Sequence, residues 1–319
     1  MTNIVICCDG TSFQFSHINT NVVHLLQALE RDTVEQKFFY DPGVGTFAAR
    51  FFGFNVGNLL GRLLGLAFGY GIKRNLEDAY RYLMNEYAEG DRVFIFGFSR
   101  GAFTARSLAS MVYECGILYP HHENLIPYVS RKYLGGADIA ELNAFRATFA
   151  RPCRPHFVGV WETVGALGVL LSLRRFHNNR LSPGVANAFH AIAIDEKRRS
   201  YAPTLWDEDA LTPEQHAEQV WFTGVHKDVG GGYAERGLAD ITLRWMLDKA
   251  RQHGLKVSGD ALAQIEGDPL GTLHETYDGW WRLLGTHVRD IPPDAALHAS
   301  VRARLEEDDS YRPANLPRQ

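Results

Sequence analysis

The stretch RVFIFGFSRGAFTAR, Arg92 to Arg106, sets a G-x-S-x-G motif between an apolar run and a helical pattern of small residues. Val93 to Phe96 reads as a fully buried strand, and Gly97 and Gly101 leave room for a sharp strand-to-helix turn that holds Ser99 in a strained conformation. Ala102, Ala105, Leu108 and Ala109 then give the following helix a small face that packs close against a parallel sheet. The N-terminus of that helix lies under the serine, where its dipole favours developing negative charge. In a chain with 30 glycines the bare motif would carry little, but a strand before it and a helix after it are the context a nucleophile elbow demands. Ser99 is the candidate nucleophile.

Outward from the elbow, apolar strand patterns recur at Asn3 to Cys8, Lys37 to Tyr40, Arg92 to Phe96, His156 to Trp161 and Gln219 to Thr223. They alternate with helical patterns at Asn21 to Glu30, Lys73 to Tyr87, Ala102 to Cys115 and Leu238 to His253. The alternation predicts an α/β-hydrolase-like fold, a mostly parallel sheet with helices on both faces. In such sheets the working groups gather at the carboxyl ends of the strands, here Asp9, Asp41, Ser99, Glu162 and His226.

The 319 residues are 45% hydrophobic, enough for one large core, and are read as a single catalytic domain, 1–319, with insertions at 51–72 and 118–154. A formal charge of -4 offers no footprint for nucleic acid. Cys7, Cys8, Cys115 and Cys153 show no C-x-x-C spacing and suggest a reducing compartment, and Cys7 and Cys8, inside an apolar strand pattern, read as small core residues. No signal-peptide pattern precedes Ile4, so the expectation is a cytoplasmic protein, with signal-less export still compatible. Phe51 to Tyr70 is apolar and glycine-rich, but Asn55, Asn58 and Arg62 interrupt it, so a buried helix is favoured over a mobile lid and a membrane span is not expected. His121, His122 and Glu123 read as surface residues of the second insertion rather than metal ligands.

A serine at neutral pH needs a base, and the base needs a partner that fixes its tautomer. Of 13 histidines, His226 follows a strand pattern, comes after Ser99 in the chain and opens the run Lys227 to Gly232, read as a flexible loop that swings the imidazole over the elbow. Two acids compete. Glu162 closes the strand His156 to Trp161 and is preferred, while Asp195, in HAIAIDE, is the alternative and reads otherwise as a cap. The oxyanion donors are expected from the backbone N–H of Arg100 and from the loop Gly10 to Thr11, with Asp9 bracing that loop. This scheme requires neither metal nor organic cofactor. Two rival readings are a non-catalytic interaction protein on the same fold and a metal-assisted phosphoesterase using Asp9 and Asp228.

The segments ICCDGT at Ile6, DPGVGT at Asp41, GFSRGAFTAR at Gly97, GVWETVGALG at Gly159, HAIAIDEKRRSYAPTLW at His190, VWFTGVHKDVGGGY at Val220 and HASVRARLEEDDSYRPANLP near the end carry a resemblance running through nearly the whole chain. Together they resemble the catalytic domain of the type VI secretion phospholipase effectors and their bacterial relatives. The resemblance implies a serine esterase acting on lipid or phospholipid, with Ser99 as nucleophile, His226 as base and Glu162 where the family usually has aspartate in W-D-T-V. It also implies transient membrane contact and, for a secreted effector, a cognate immunity protein. The larger effectors carry extra membrane-engaging regions that this chain lacks, so a soluble acyl ester is an alternative substrate.

Overall fold

A computed structural model of the chain describes residues 1–10, 17–31, 34–43, 57–136, 138–164, 179–276 and 286–316, with the backbone alone for 57–70. In chain order the strands are β1 (Asn3–Cys8), β2 (Gln36–Asp41), β3 (Arg92–Phe98), β4 (Ile117–Leu118), β5 (Ala150–Arg151), β6 (Phe157–Trp161), β7 (Asn187–Ala193), β8 (His216–Phe222) and β9 (Ala296–Leu297). All but β4 and β5 join one sheet in the order β2-β1-β3-β6-β7-β8-β9, and every pairing in it is parallel. The short β4 and β5 pair antiparallel beside it.

The helices are α1 (Asn21–Ala28), α2 (Gly57–Glu86), α3 (Arg100–Cys115), α4 (Ile126–Gly135), α5 (Ile139–Phe149), α6 (His226–Gly230), α7 (Gly237–Gln252), α8 (Gly259–Ala263) and α9 (Ala299–Glu307). Successive strand residues face opposite sides of the sheet, and both sides of the central strands are apolar, as buried parallel strands require. Ile4, Ile6, Val93, Ile95 and Val158 pack under Leu76, Leu83, Ala105 and Leu108 of α2 and α3. Val5, Cys7, Phe94, Phe96 and Phe157 pack under Leu25, Leu243, Met246 and Leu247 of α1 and α7. The predicted two-sided α/β sheet is thus observed.

β7 and α2 differ from the sequence expectation. β7 was not assigned from periodicity, because Asn187 and His190 break its apolar run; it is nevertheless buried between β6 and β8. Helix α2 starts at Gly57 rather than Lys73, so the backbone of 57–70 continues that helix, while 51–56 lie outside the described residues. Among the described residues no helix is long and apolar enough to cross a membrane.

The chain leaves β1 for β2 on one side and then crosses to β3 on the other. A crevice therefore opens at the carboxyl ends of β1 and β3, the usual place for a site in such sheets. Asp9 and Gly10 follow β1 there, and Ser99 follows β3.

Candidate active site

Ser99 bridges β3 and α3 at φ 58°, ψ -120°, a backbone region that costs a non-glycine residue energy and is held by its surroundings. Gly101 and Gly97 explain how the turn fits. A Cβ on Gly101 would run into the backbone carbonyls of Cys8 and Asp9, and one on Gly97 would lie 2.7 Å from Ala102 Cα. Their absence lets the start of α3 close onto the end of β1. The Ser99 N–H donates to Trp161 O at 3.0 Å, which ties the elbow to β6.

His226 Nε2 lies 2.9 Å from Ser99 Oγ, and its Nδ1 lies 2.8 Å from Glu162 Oε2. All three residues are buried. The imidazole does not ride on a flexible loop, contrary to the sequence expectation, because His226 is the first residue of α6. Asp228 caps that helix by accepting the Val225 N–H at 3.0 Å, and the His226 N–H donates to Glu196 Oε2 at 3.2 Å. The ring sits between Phe98 and Tyr201, each with its centroid 4.7 Å away. Burial pulls its pKa below the ordinary histidine value, while hydrogen bonding and charge from Glu162 oppose that shift.

Of the two candidate acids, only Glu162 meets His226. Asp195 Oδ2 accepts from Gly224 N–H at 2.8 Å and from the Tyr311 hydroxyl at 3.0 Å, so this carboxylate braces the turn before α6. Sequence left the choice open because both lie between Ser99 and His226 in the chain. The Glu162 backbone is itself left-handed, at φ 51°, and this directs the longer side chain back toward the elbow. Its Oε1 accepts the Ala193 N–H at 2.7 Å.

The residue that sequence reading missed is Arg289. Its guanidinium donates to Glu162 Oε1 at 2.7 Å and to Oε2 at 2.8 Å, a two-pronged pair that is 1% and 0% exposed on its two sides. Burial alone would raise the Glu162 carboxyl, but the adjacent Arg289 charge and hydrogen bonds, with those of His226, hold it well below the carboxylate range. Arg289 lies in THVRDIPP, a segment with no motif around it, so no local signal announced this contact.

The remaining predicted residues divide. Asp9 braces the loop after β1 as expected: Oδ1 accepts the Gly10 N–H at 2.7 Å, and Oδ2 accepts the Thr20 and Tyr40 hydroxyls at 2.8 and 2.9 Å. That bond occupies the Gly10 N–H in this structure, and Thr11 lies outside the described residues. Arg100 opens α3, where a helix's own carbonyls do not reach its first N–H groups. Asp228 accepts from Val225 N–H and from His274, whose Nδ1 is 2.6 Å from Oδ1, so its oxygens are committed to holding α6. Among the described residues no three His, Cys, Asp or Glu side chains converge to hold a metal ion.

Residues 2–249 match the family described as "T6SS, Phospholipase effector Tle1-like, catalytic domain". The chain belongs to this Tle1-like family. Ser99, Glu162 and His226 fall inside the matched stretch of the Tle1-like domain, and Arg289 falls beyond it. An uncharacterized protein of Saccharomyces cerevisiae, YEL023C, is 31% identical over 222 residues, 62% of this chain, which spans only 32% of the yeast protein's length. Among solved structures, an uncharacterized protein from Pseudomonas aeruginosa matches 84% of this chain and 49% of its own at 17% identity, with a TM-score of 0.48. A Tle1 effector bound to the VgrG spike of the type 6 secretion system matches 73% of this chain and 51% of its own at 17% identity, with a TM-score of 0.39.

Proposed function

We propose that this chain is a serine hydrolase of carboxylic esters, with lipid or phospholipid as its substrate class. The observation that carries the reading is the relay Ser99 Oγ, His226 Nε2, His226 Nδ1, Glu162 Oε2, spanned by contacts of 2.9 and 2.8 Å with the serine on a strained elbow. A neutral His226 takes the Ser99 hydroxyl proton as Oγ attacks the ester carbonyl. Glu162 holds the Nδ1 proton in place and supports the imidazolium that forms. The imidazolium then protonates the leaving alcohol, and a water activated by the same ring hydrolyses the acyl-enzyme.

The tetrahedral oxyanion falls at the start of α3, where the Arg100 N–H and the helix dipole oppose its charge. The second donor is assigned to the loop Gly10 to Thr11 that follows β1. Phospholipid as the ester rests on membership of the Tle1-like family.

Fluorophosphonate labelling of wild type, Ser99→Ala and His226→Ala, followed by hydrolysis of short-chain esters and phospholipid vesicles, tests this. Labelling and turnover should both disappear in Ser99→Ala. A folded wild type that neither labels nor cleaves any ester overturns the reading, and activity on short-chain esters without vesicle hydrolysis overturns the phospholipid assignment.

A further inference from the structure

We propose that Arg289 is a positioning residue for the acid–base pair, holding the Glu162 carboxylate at the one angle from which it orients His226 toward Ser99. The proposal rests on the hydrolase reading above. A glutamate has three rotatable side-chain bonds, and apart from Arg289 each oxygen of this carboxylate has one partner, His226 Nδ1 on Oε2 and the Ala193 N–H on Oε1. Arg289 adds a grip on both oxygens at once in a parallel pair, the arrangement that fixes a carboxylate plane best.

The same guanidinium donates to Ala193 O at 2.6 Å and to Tyr201 O at 2.7 Å. It therefore fastens the end of β7, whose Ala193 N–H also bonds Glu162, and the residue whose ring lies edge-on to His226. One side chain thus locks the acid, the strand end beside it and one wall of the imidazole pocket. None of these partners needs Arg289 for folding of the elbow itself, which is held by Gly97, Gly101 and the Ser99 to Trp161 bond. Because Arg289 lies beyond residues 2–249, the acid of the matched region is held by a side chain from outside it.

Charge gives the proposal a readout that simple packing would not move. His226 feels two carboxylates, Glu162 and Glu196, which favour its protonated form, and Arg289, which opposes it. Glu196 is paired with Arg198 at 2.8 Å, while on α6 Asp228 turns to His274 and Lys227 follows the imidazole in sequence. Replacing Arg289 removes the opposing cation, so protonation of His226 must persist to higher pH.

The experiment uses the full chain as wild type, Arg289→Lys and Arg289→Ala, with folding checked by thermal unfolding and kcat and KM measured against pH on a soluble short-chain ester. In both variants kcat should fall roughly 10- to 100-fold, the size typical of losing a group that orients a reactive one, with KM nearly unchanged. For Arg289→Ala the acid limb of kcat/KM should move to higher pH, and millimolar guanidinium chloride should restore kcat where sodium chloride of equal ionic strength does not. Folded variants with wild-type kcat and an unmoved limb overturn the assignment, as does a loss confined to KM. Should neither variant fold, Arg289→Gln, which keeps an amide donor but no charge, takes their place: a folded variant with wild-type kcat and an unmoved limb overturns the assignment, and reduced kcat with a raised limb supports it. A wild type inert toward every ester sinks the hydrolase reading, whereas an active wild type with indifferent variants sinks only the role of Arg289.

Discussion

Glu162 Oε2 lies 2.8 Å from His226 Nδ1 across 64 residues of sequence. The longer acid reaches the ring because its backbone turns left-handed at the end of β6 and its carboxylate is met from behind by Arg289. Shortening it by one methylene withdraws the carboxylate by about 1.5 Å, one C–C bond, so it cannot keep both partners. Glu162→Asp should therefore lower kcat on the order of 10²-fold, the cost of a misplacement of that size. Glu162→Gln should lower it on the order of 10⁴-fold, because an amide no longer supports the imidazolium or selects the tautomer. Steady-state kinetics at pH 8 distinguish the two, and a Glu162→Asp variant as fast as wild type would show that geometry at this position is unimportant.

Asp195 is the control. Its carboxylate is half-buried, its pKa is raised by that burial, and its partners are Gly224 and Tyr311 rather than His226. Asp195→Asn keeps an oxygen acceptor for these donors. We expect kcat within about threefold of wild type and a stability change of about 1 kcal/mol, one hydrogen bond's worth. A loss comparable to that of Glu162→Gln would reinstate Asp195 as the acid.

Gly101→Ala tests the elbow. The added methyl meets main-chain carbonyls of Cys8 and Asp9, which cannot swing aside as a flexible side chain could. Urea unfolding should show a loss of about 1–3 kcal/mol, as for overpacked sites, accompanied by reduced kcat because the strain displaces the Ser99 turn. A variant as stable and active as wild type would show that α3 does not need this close approach.

Stability should fall between about pH 4 and pH 6 through Asp9 and Asp41. Burial, first among the causes, pushes both carboxyls from 3.8 up to about 6, against the hydrogen bonds that hold them. Across that window the folded state keeps protons that the unfolded state has released, so this contribution is full below 3.8 and is lost as pH rises through about 6. Asp9→Asn carries no ionisable proton and should give a flatter stability profile from pH 4 to 6 in denaturant titrations. A profile identical to wild type would refute the assignment of the slope to Asp9.

Much of the site was legible because it is local. Val93 to Phe96, Gly97, Ser99 and Gly101 specify an elbow within a few residues, and β1, β3 and β6 carry continuous apolar runs that leave no doubt about burial. His226 was found from its place after a strand, but its rigidity was not, since the short helix α6 depends on the Asp228 cap and on Glu196 from the β7 end. β7 itself escaped because a buried histidine interrupts it; His190 accepts the Thr163 N–H at 3.1 Å, a contact no window of sequence contains.

By itself the sequence determined the parallel α/β architecture, the strained serine and the strand-end placement of Ser99, Glu162 and His226, because strand periodicity, glycine placement and turn chemistry act over neighbouring residues. Tertiary structure decided which carboxylate meets His226 and what holds it. The pairing of Trp161 with Ala191 and of Ala193 with Phe222 sets how far each strand end protrudes, and so brings Glu162 to His226 while leaving Asp195 with Gly224 and Tyr311. Arg289 reaches Glu162 from 127 residues away. A buried carboxylate demands compensation from whatever cation the folded chain delivers, and that delivery is a property of the assembled sheet rather than of any segment.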